Sequence, residues 1–415
     1  MFNAFTWTFL AALLVVTATR IWLAQRQVRH VRAHREAVPG TFADAIPLAA
    51  HQKAADYTVA KAQLGMLEVL IGAATLLALT LGGFIDLLHL QWARLLEPGG
   101  VWHGVALIAT VAVVLTLIEL PLSLYRTFGI EARYGFNRMT PSLYVVDLAK
   151  QALLAAALGI PLLLLVLWLM QKMGSLWWLY VWFAWMAFNL LVLLLFPTFI
   201  APLFNRFSKL EDPGLAGRIE ALLKRCGFRA SGLYVMDGSK RSSHGNAYFT
   251  GFGAAKRIVF FDTLLSRLAP PEVEAVLAHE LGHYRLYHVW KRIALLFAAS
   301  LALLWVLGRL IGEPWFYAGL GVSQPSTAAA LLLFMLVVPL FTFFLQPVTS
   351  LYSRRHEFEA DAYAAQHADS AELVKALVKL YTDNAATLTP DPVHSAFYDS
   401  HPPAAIRIAR LRGAT

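Results

Sequence analysis

Long apolar runs separated by shorter polar segments make up most of the chain. An α-helix needs about 20 apolar residues to cross a hydrocarbon core of about 30 Å. Runs close to that length lie at 3–24, 64–86, 101–124, 149–170, 176–200, 289–312 and 327–350. The hydrophobic pattern therefore predicts seven transmembrane helices.

Basic residues are concentrated in alternate segments between these runs. The first run is followed by Arg26, Arg29, Arg32 and Arg35, and later segments of the same set carry Arg126, Arg133, Arg138 and Lys150. The intervening segments hold only Arg94, Lys172 and Arg309. By the positive-inside rule, we expect the N-terminus outside and residues 25–63, 125–148, 201–288 and 351–415 in the cytoplasm. No Lys or Arg precedes Arg20, which favours an uncleaved first helix over a signal peptide.

Residues 201–288 have the pattern of a folded domain. Helical periodicity covers 210–228, and short β-type runs follow at 232–236, 246–251 and 258–261. A further helix begins at Pro270, since proline is well tolerated in the first turn. A small sheet beside helices is therefore predicted here.

The composition agrees with a membrane protein and narrows the chemistry. Of the 415 residues, 58% are hydrophobic and 15% are charged, against roughly 25% charged residues in soluble domains. The net charge is +9. The basic residues that produce it lie beside apolar runs, so we interpret them as topology signals and expect no nucleic-acid partner. Because Cys226 is the only cysteine, a bound metal must be held by His and carboxylate ligands.

The helix that begins at Pro270 carries the sequence His279-Glu280-Leu281-Gly282-His283. Histidines four residues apart lie on one helix face and can bind the same ion. Glu280 can then accept a proton from a water at that ion without being a ligand. The pattern predicts a hydrolytic metal site, against the alternative of two incidental histidines.

A third ligand must come from elsewhere, because catalytic zinc usually has three protein ligands. Leu286 and Val289 occupy positions where a metzincin would need Gly and His, and His288 points off the shared face. Glu357 and Asp361 lie four residues apart, so one of them can bind metal while the other orients a ligand histidine. A charged helix start is the alternative for this segment, and Glu359 is a competing ligand on another face.

Several blocks of the chain resemble, in order, the integral-membrane zinc metallopeptidases of the M48 family, specifically the type I CAAX prenyl proteases in their shorter bacterial form. The blocks are Tyr125-Arg126-Thr127-Phe128-Gly129-Ile130-Glu131, Tyr134-Gly135-Phe136-Asn137, Pro202-Leu203-Phe204-Asn205, Asn246-Ala247-Tyr248-Phe249, the histidine motif, Glu357-Phe358-Glu359-Ala360-Asp361, and His401-Pro402-Pro403 with Arg407.

The resemblance implies roles for individual residues. Glu357 matches the third zinc ligand, and Asp361 matches the carboxylate that orients a ligand. Asn246 matches a residue on an edge strand that aligns substrate by backbone pairing. His401 and Arg407 match residues that face the scissile carbonyl. Without the resemblance, Asn246 would be interpreted as a turn residue and His401 as a loop histidine.

The resemblance also implies an architecture and an activity. We expect about seven transmembrane helices enclosing a chamber, with a cytoplasmic zincin-like α+β protease domain. Residues 1–200 form a membrane domain of about five helices. Residues 201–415 form the peptidase domain, including two further transmembrane helices at about 289–312 and 327–350. One Zn²⁺ per chain, a peptide or protein substrate that can carry a lipid, and contact with membrane lipids of a bacterial inner membrane are expected.

Two alternatives to a CAAX-type protease remain at this stage. The first is membrane-protein quality control, as in the shorter HtpX-like enzymes of the same family, which have about four spans. The second is transport, which predicts ionisable residues in the middle of spans. The main residue of that kind is Glu119, near the cytoplasmic end of its run.

Overall fold

The computed structural model of the protein describes residues 2–250 and 257–413. Helices and the loops that connect them form residues 2–206: α1 Ala4–Ala33, α2 Leu48–Leu79, α3 Phe84–Trp92, α4 Val101–Leu124, α5 Pro141–Lys172, α6 Trp177–Leu195 and α7 Ala201–Phe204. Two of them continue in π-helical turns, α4 through Tyr125–Glu131 and α6 through Phe196–Ile200.

A small sheet and further helices form the rest of the described chain. The elements are β1 Phe207–Lys209, α8 Pro213–Arg225, β2 Gly232–Met236, β3 Ala247–Thr250, β4 Arg257–Phe261, α9 Asp262–Leu265, α10 Pro270–Arg285, α11 His288–Leu310, α12 Pro314–Gly319, α13 Thr327–Thr342, α14 Gln346–His367, α15 Ser370–Asp383, α16 Pro392–Tyr398 and α17 Ala404–Gly413.

Seven helical segments of the described chain are long and apolar enough to cross a bilayer, which confirms the predicted number. The last segment runs from Thr327 to His367, because a short 3₁₀ turn at Phe343–Leu345 joins α13 to α14. The span predicted at 64–86 is displaced, since α2 begins at Leu48 and ends at Leu79. Its polar first half packs along α1, and Gly83, with φ of 75°, reverses the chain after it.

The sheet has the strand order β1-β2-β4-β3. Strands β2 and β4 are parallel, whereas β1 and β3 pair antiparallel with their neighbours. Within the described residues, β3 therefore lies at an edge. The predicted strands at 232–236 and 258–261 agree closely with β2 and β4, while β1 was not predicted and Gly251, the last residue of the run at 246–251, lies outside the described residues.

Two large apolar cores support these parts. One lies among the membrane helices and includes Phe9, Leu107 and Leu167. The other joins α8, the sheet, α10 and α15 through residues such as Ile219, Phe260, Leu277 and Leu377. The Arg241 guanidinium connects the two parts, because it donates from Nε and Nη2 to the Asp147 carboxylate on α5 at 2.7 and 2.9 Å. The division into domains at residues 200 and 201 stays a prediction.

Candidate active site

Three side chains from two helices converge at one point. His279 Nε2 lies 3.2 Å from His283 Nε2 and 3.5 Å from Glu357 Oε2, and His283 Nε2 lies 3.3 Å from Glu357 Oε1. Ligands about 2.0–2.1 Å from a tetrahedral ion lie about 3.3–3.4 Å from one another. The donor atoms therefore already have the separations that a tetrahedral metal ion needs, and their N and O chemistry fits such an ion.

Close packing of two helices brings the ligands together. His279 and His283 are one turn apart on α10, and Glu357 projects from α14. The helices approach at Gly282, where a β-carbon would lie 3.0 Å from Cα of Ala360 and 3.1 Å from Cβ of Tyr363. A larger residue at position 282 would force the helices to shift, so glycine permits this close approach.

An ion pair between Asp361 and Arg407 orients His279 through the Nδ1 side of its ring. The His279 Nδ1 atom lies 2.9 Å from Asp361 Oδ1. Arg407 donates to both oxygens of Asp361, at 2.8 and 2.6 Å. All three residues are buried. A carboxylate that accepts the Nδ1 hydrogen leaves Nε2 free to bind metal, so the predicted orienting role of Asp361 has the required geometry.

The electrostatics of His279 link metal binding to proton release. Burial lowers the pKa of His279, whereas its hydrogen bonds to Asp361 and Glu357 raise it, and the balance raises the pKa to about 9. Binding of a cation at Nε2 therefore competes with protonation of that nitrogen.

Glu280 lines a cavity of about 330 Å³ together with His279, Glu357, His401 and Arg407. Burial raises the pKa of the Glu280 carboxyl above its usual range. A base whose pKa is closer to neutrality is better suited to general acid–base catalysis. The cavity therefore places a suitable base next to the converging ligands.

The remaining predicted residues have different positions. His401 is largely exposed, with Nε2 3.5 Å from Glu357 Oε2, so it can contact a molecule in the cavity. Arg407 is buried against Asp361, with Nη1 3.7 Å from Glu357 Oε2. Asn246 also lines the cavity and precedes the edge strand β3. Its Oδ1 accepts a hydrogen bond from the Ala247 backbone at 2.8 Å.

A second group of residues lies beside this site and was not predicted to contact it. His288 Nδ1 lies 3.0 Å from His283 Nδ1, and His288 Nε2 lies 3.0 Å from Glu359 Oε2. The contact arises because Tyr287 adopts a left-handed conformation with φ of 59° and redirects the chain between α10 and α11. Such a conformation is uncommon for tyrosine, so the sequence pattern gave no indication of it.

Comparisons with known proteins cover nearly the whole chain. Residues 27–206 match the family model for the CAAX prenyl protease N-terminal region with five membrane helices, and residues 209–415 match the model for peptidase family M48. The chain is 37% identical over 314 residues to CAAX prenyl protease 1 of Saccharomyces cerevisiae, covering 71% of this chain and 69% of the relative. It is 31% identical to the Caenorhabditis elegans homologue over 97% of both chains.

A solved structure supports the same relationship. The crystal structure of S. mikatae Ste24p superposes with a TM-score of 0.91 at 30% identity and covers 99% of each chain. Together with the two family models, this similarity shows that the chain belongs to peptidase family M48 and is a membrane metallopeptidase similar throughout to CAAX prenyl protease 1.

Proposed function

We propose that the protein is a zinc-dependent endopeptidase that processes the C-terminal end of peptide or protein substrates in the manner of a type I CAAX prenyl protease. The observation that carries this proposal is the convergence of His279, His283 and Glu357 at a cavity that His279, Glu357 and Glu280 line. Zinc suits these ligands because two imidazoles and one carboxylate form a common hydrolytic zinc site with an open fourth position.

The residues of the site have separate tasks in the proposed reaction. A zinc ion held by His279, His283 and Glu357 would supply Lewis acidity toward the peptide carbonyl and the attacking water. Glu280 takes the proton of that water and later gives it to the nitrogen of the leaving amine. His401 donates a hydrogen bond to the oxyanion, an effect worth about 2.7–4 kcal/mol for a well-placed donor.

The edge strand β3 provides a place for an extended substrate. Its one strand neighbour in the described residues is β4, and Asn246 and Ala247 at its start line the cavity. A peptide that pairs with this edge would be held by backbone hydrogen bonds. We therefore assign substrate alignment to Asn246 and the adjoining strand, and the support of Glu357 and Asp361 to Arg407.

A cavity between the membrane helices supports the proposal that a chamber admits a lipid-modified substrate. Helices α1, α2, α4 and α13 surround a cavity of about 420 Å³ that is mostly apolar but includes Arg20, Glu68 and Glu119. Arg126 forms ion pairs with Glu68 and Glu119. Glu68 is therefore a second carboxylate within a predicted span besides Glu119, and both are paired with Arg126.

The proposed location is a bacterial inner membrane, with membrane lipids around the seven helices. The resemblance to the shorter bacterial form supports the choice of membrane. The arginines after α1 and the basic segment between α4 and α5 support an external N-terminus and a cytoplasmic active site. A CAAX-type C-terminus is reached from the cytoplasm in this orientation.

Cleavage of defined substrates tests the proposal. The purified full-length protein is incubated with a farnesylated CAAX peptide, with the same peptide without the lipid, and with an unfolded protein. We expect release of the last three residues from the farnesylated peptide by the wild type and none by Glu280→Gln, which should retain one zinc per chain. Cleavage of the unfolded protein alone would favour membrane-protein quality control. Loss of zinc from Glu280→Gln would contradict the role of Glu280 as a base.

A further inference from the structure

We propose that Glu359 is a positioning residue that acts through His288 to orient the metal ligand His283. The proposal rests on the metal site assigned above. Its observation is an unbroken series of contacts: His283 Nδ1 to His288 Nδ1 at 3.0 Å, His288 Nε2 to Glu359 Oε2 at 3.0 Å, and Arg355 Nε to Glu359 Oε1 at 2.8 Å. His288 is 1% exposed.

The hydrogen positions in this series follow from the metal-binding role of His283. Its Nε2 faces His279 and Glu357 at 3.2 and 3.3 Å, so this nitrogen must be bare to bind a cation. The hydrogen of His283 then lies on Nδ1 and is donated to His288 Nδ1. A neutral His288 that accepts at Nδ1 carries its own hydrogen on Nε2, and that hydrogen is donated to Glu359.

Glu359 determines this arrangement because an ionised carboxylate can only accept hydrogen bonds. If His288 held its hydrogen on Nδ1, two N–H groups would face each other at 3.0 Å and a bare nitrogen would face the carboxylate. Both contacts would then be repulsive. The Glu359 carboxylate therefore fixes the tautomer of His288, and His288 fixes that of His283.

The two histidine ligands are thus oriented by similar means over different distances. His279 contacts the Asp361 carboxylate directly, and Arg407 holds that carboxylate in place. His283 faces the junction of α10 and α11, and its carboxylate Glu359 on α14 lies one imidazole further away. Arg355 pairs with that carboxylate at the protein surface.

A second metal site is the rival interpretation of this cluster. His288, His356 and Glu359 have donor atoms within 4.8 Å of one another. However, the rings of His288 and His356 are stacked, with centroids 3.9 Å apart and planes 7° from parallel. Imidazole nitrogens bind metals in the plane of the ring, so an ion in the plane of one ring would lie out of the plane of the other. Both nitrogens of His288 are also engaged already. The stack therefore favours the hydrogen-bonded series from His283 through His288 to Glu359, which we call the relay.

Metal binding by four full-length proteins in detergent tests the relay without any substrate. Zinc affinity is measured by competition with a chelator, and the cobalt-loaded proteins are compared by visible absorption, which reports ligand geometry. Glu359→Leu removes the acceptor at similar size and should weaken zinc binding about 10–100-fold and change the cobalt spectrum. Glu359→Gln keeps an acceptor oxygen and should retain most of the affinity and the wild-type spectrum.

His356→Phe is the matched control, because it keeps a stacked ring but removes a possible ligand. The relay predicts one zinc per chain with wild-type affinity in this variant. Two zinc ions in the wild type and one in His356→Phe would overturn the relay in favour of a second metal site. Equal affinities of Glu359→Leu and the wild type, or equal losses in the Leu and Gln variants, would also overturn it. Absence of zinc binding by the wild type would instead contradict the proposed function.

Discussion

Glu357 and Glu359 stand two residues apart on α14 and contact different histidines. The Glu357 carboxylate approaches His279 and His283 at 3.5 and 3.3 Å, whereas Glu359 approaches His288 at 3.0 Å. Spacing in the sequence left both as possible ligands. The structure supports Glu357, because two residues along a helix correspond to a rotation of about 200°.

Replacing these two glutamates separately should therefore have unequal effects on metal binding. Glu357→Ala removes a ligand and should reduce zinc affinity by more than the roughly 10–100-fold expected for a supporting residue. Glu359→Ala should stay within that smaller range. Chelator competition measures both affinities in parallel, and a loss in Glu359→Ala as large as that in Glu357→Ala would show that Glu357 has been misassigned.

The Arg407–Asp361 pair is expected to affect stability and metal binding in separable ways. Arg407→Met leaves the buried Asp361 charge without its arginine partner and with His279 as its remaining contact, which should cost up to about 3–5 kcal/mol in free energy of unfolding. Arg407→Met combined with Asp361→Leu removes both charges and should recover most of that loss. Zinc affinity should stay about 10–100-fold low in the double variant because His279 has lost its carboxylate.

Unfolding in detergent and chelator competition on the same samples measure the two effects. Recovery of zinc affinity together with stability in the double variant would mean that Asp361 supports the fold and does not orient His279.

At the scale of helices, the packing of α10 against α14 determines the separation of the ligands. Gly282→Ala would place its β-carbon 3.0–3.2 Å from the backbone of Ala360, which is too close without movement of a helix. We expect overpacking to cost about 1–3 kcal/mol and to lower zinc affinity, because Glu357 moves away from the histidines.

Gly217→Ala is the matched control, because a β-carbon at this helical position has no neighbour within 4 Å. It should stabilise α8 by about 0.5–1 kcal/mol and leave zinc affinity unchanged. Measuring both variants by unfolding and by chelator competition separates tight packing from a general effect of alanine. Wild-type zinc affinity in Gly282→Ala would mean that the helices do not need this close approach.

The sequence predicts the apolar segments of helices more accurately than it predicts the residues at which the helices end. The run at 101–124 coincides with α4, but the helix continues as a π-helical turn to Glu131. Hydropathy reports the part of a helix that lies in hydrocarbon, and the polar continuation depends on tertiary packing. The three-residue strand β1 is too short for an alternating pattern, and its pairing with β2 is a tertiary contact.

The candidate site shows the same limit. The spacing of His279 and His283 alone indicates that they can share an ion, because both lie on one helix. The choice of Glu357 required the resemblance to a family, since its distance from the histidines is set by the packing at Gly282. The contact of His288 with His283 depends on the left-handed Tyr287, for which no simple sequence rule exists.

At the scale of the whole molecule, polar contacts join the N-terminal helix to the C-terminal part. Arg26 donates from Nε and Nη2 to the Asp391 carboxylate at 3.2 and 3.0 Å, and Gln27 accepts from the Asp391 backbone at 2.7 Å. Arg241 joins α5 to the loop before β3. The end of α1 and the segment at Asp391 must therefore lie on one side of the membrane, and so must the start of α5 and the loop before β3.

This arrangement gives the topology a direct test. Because His279 and Glu357 contact each other, the segments that carry them must face the same side, and the basic segments predict that this side is the cytoplasm. In a Cys226→Ser background, single cysteines at the exposed positions Gly40 and Lys240 should be protected from an impermeant thiol reagent in intact cells. Cysteines at the exposed positions Glu97 and Gln324 should react.

The contribution of the basic residues can be separated from that of the contacts. Arg26 and Arg35 form ion pairs with Asp391 and Asp56, so their removal would also disturb packing. Replacing Arg29 and Arg32 by Gln removes positive charge with less disturbance and should make position 40 partly reactive as the orientation of α1 loses its bias. If positions 40 and 240 label on opposite faces in the parent protein, the number of spans between them differs by one and the cytoplasmic placement of the active site is wrong.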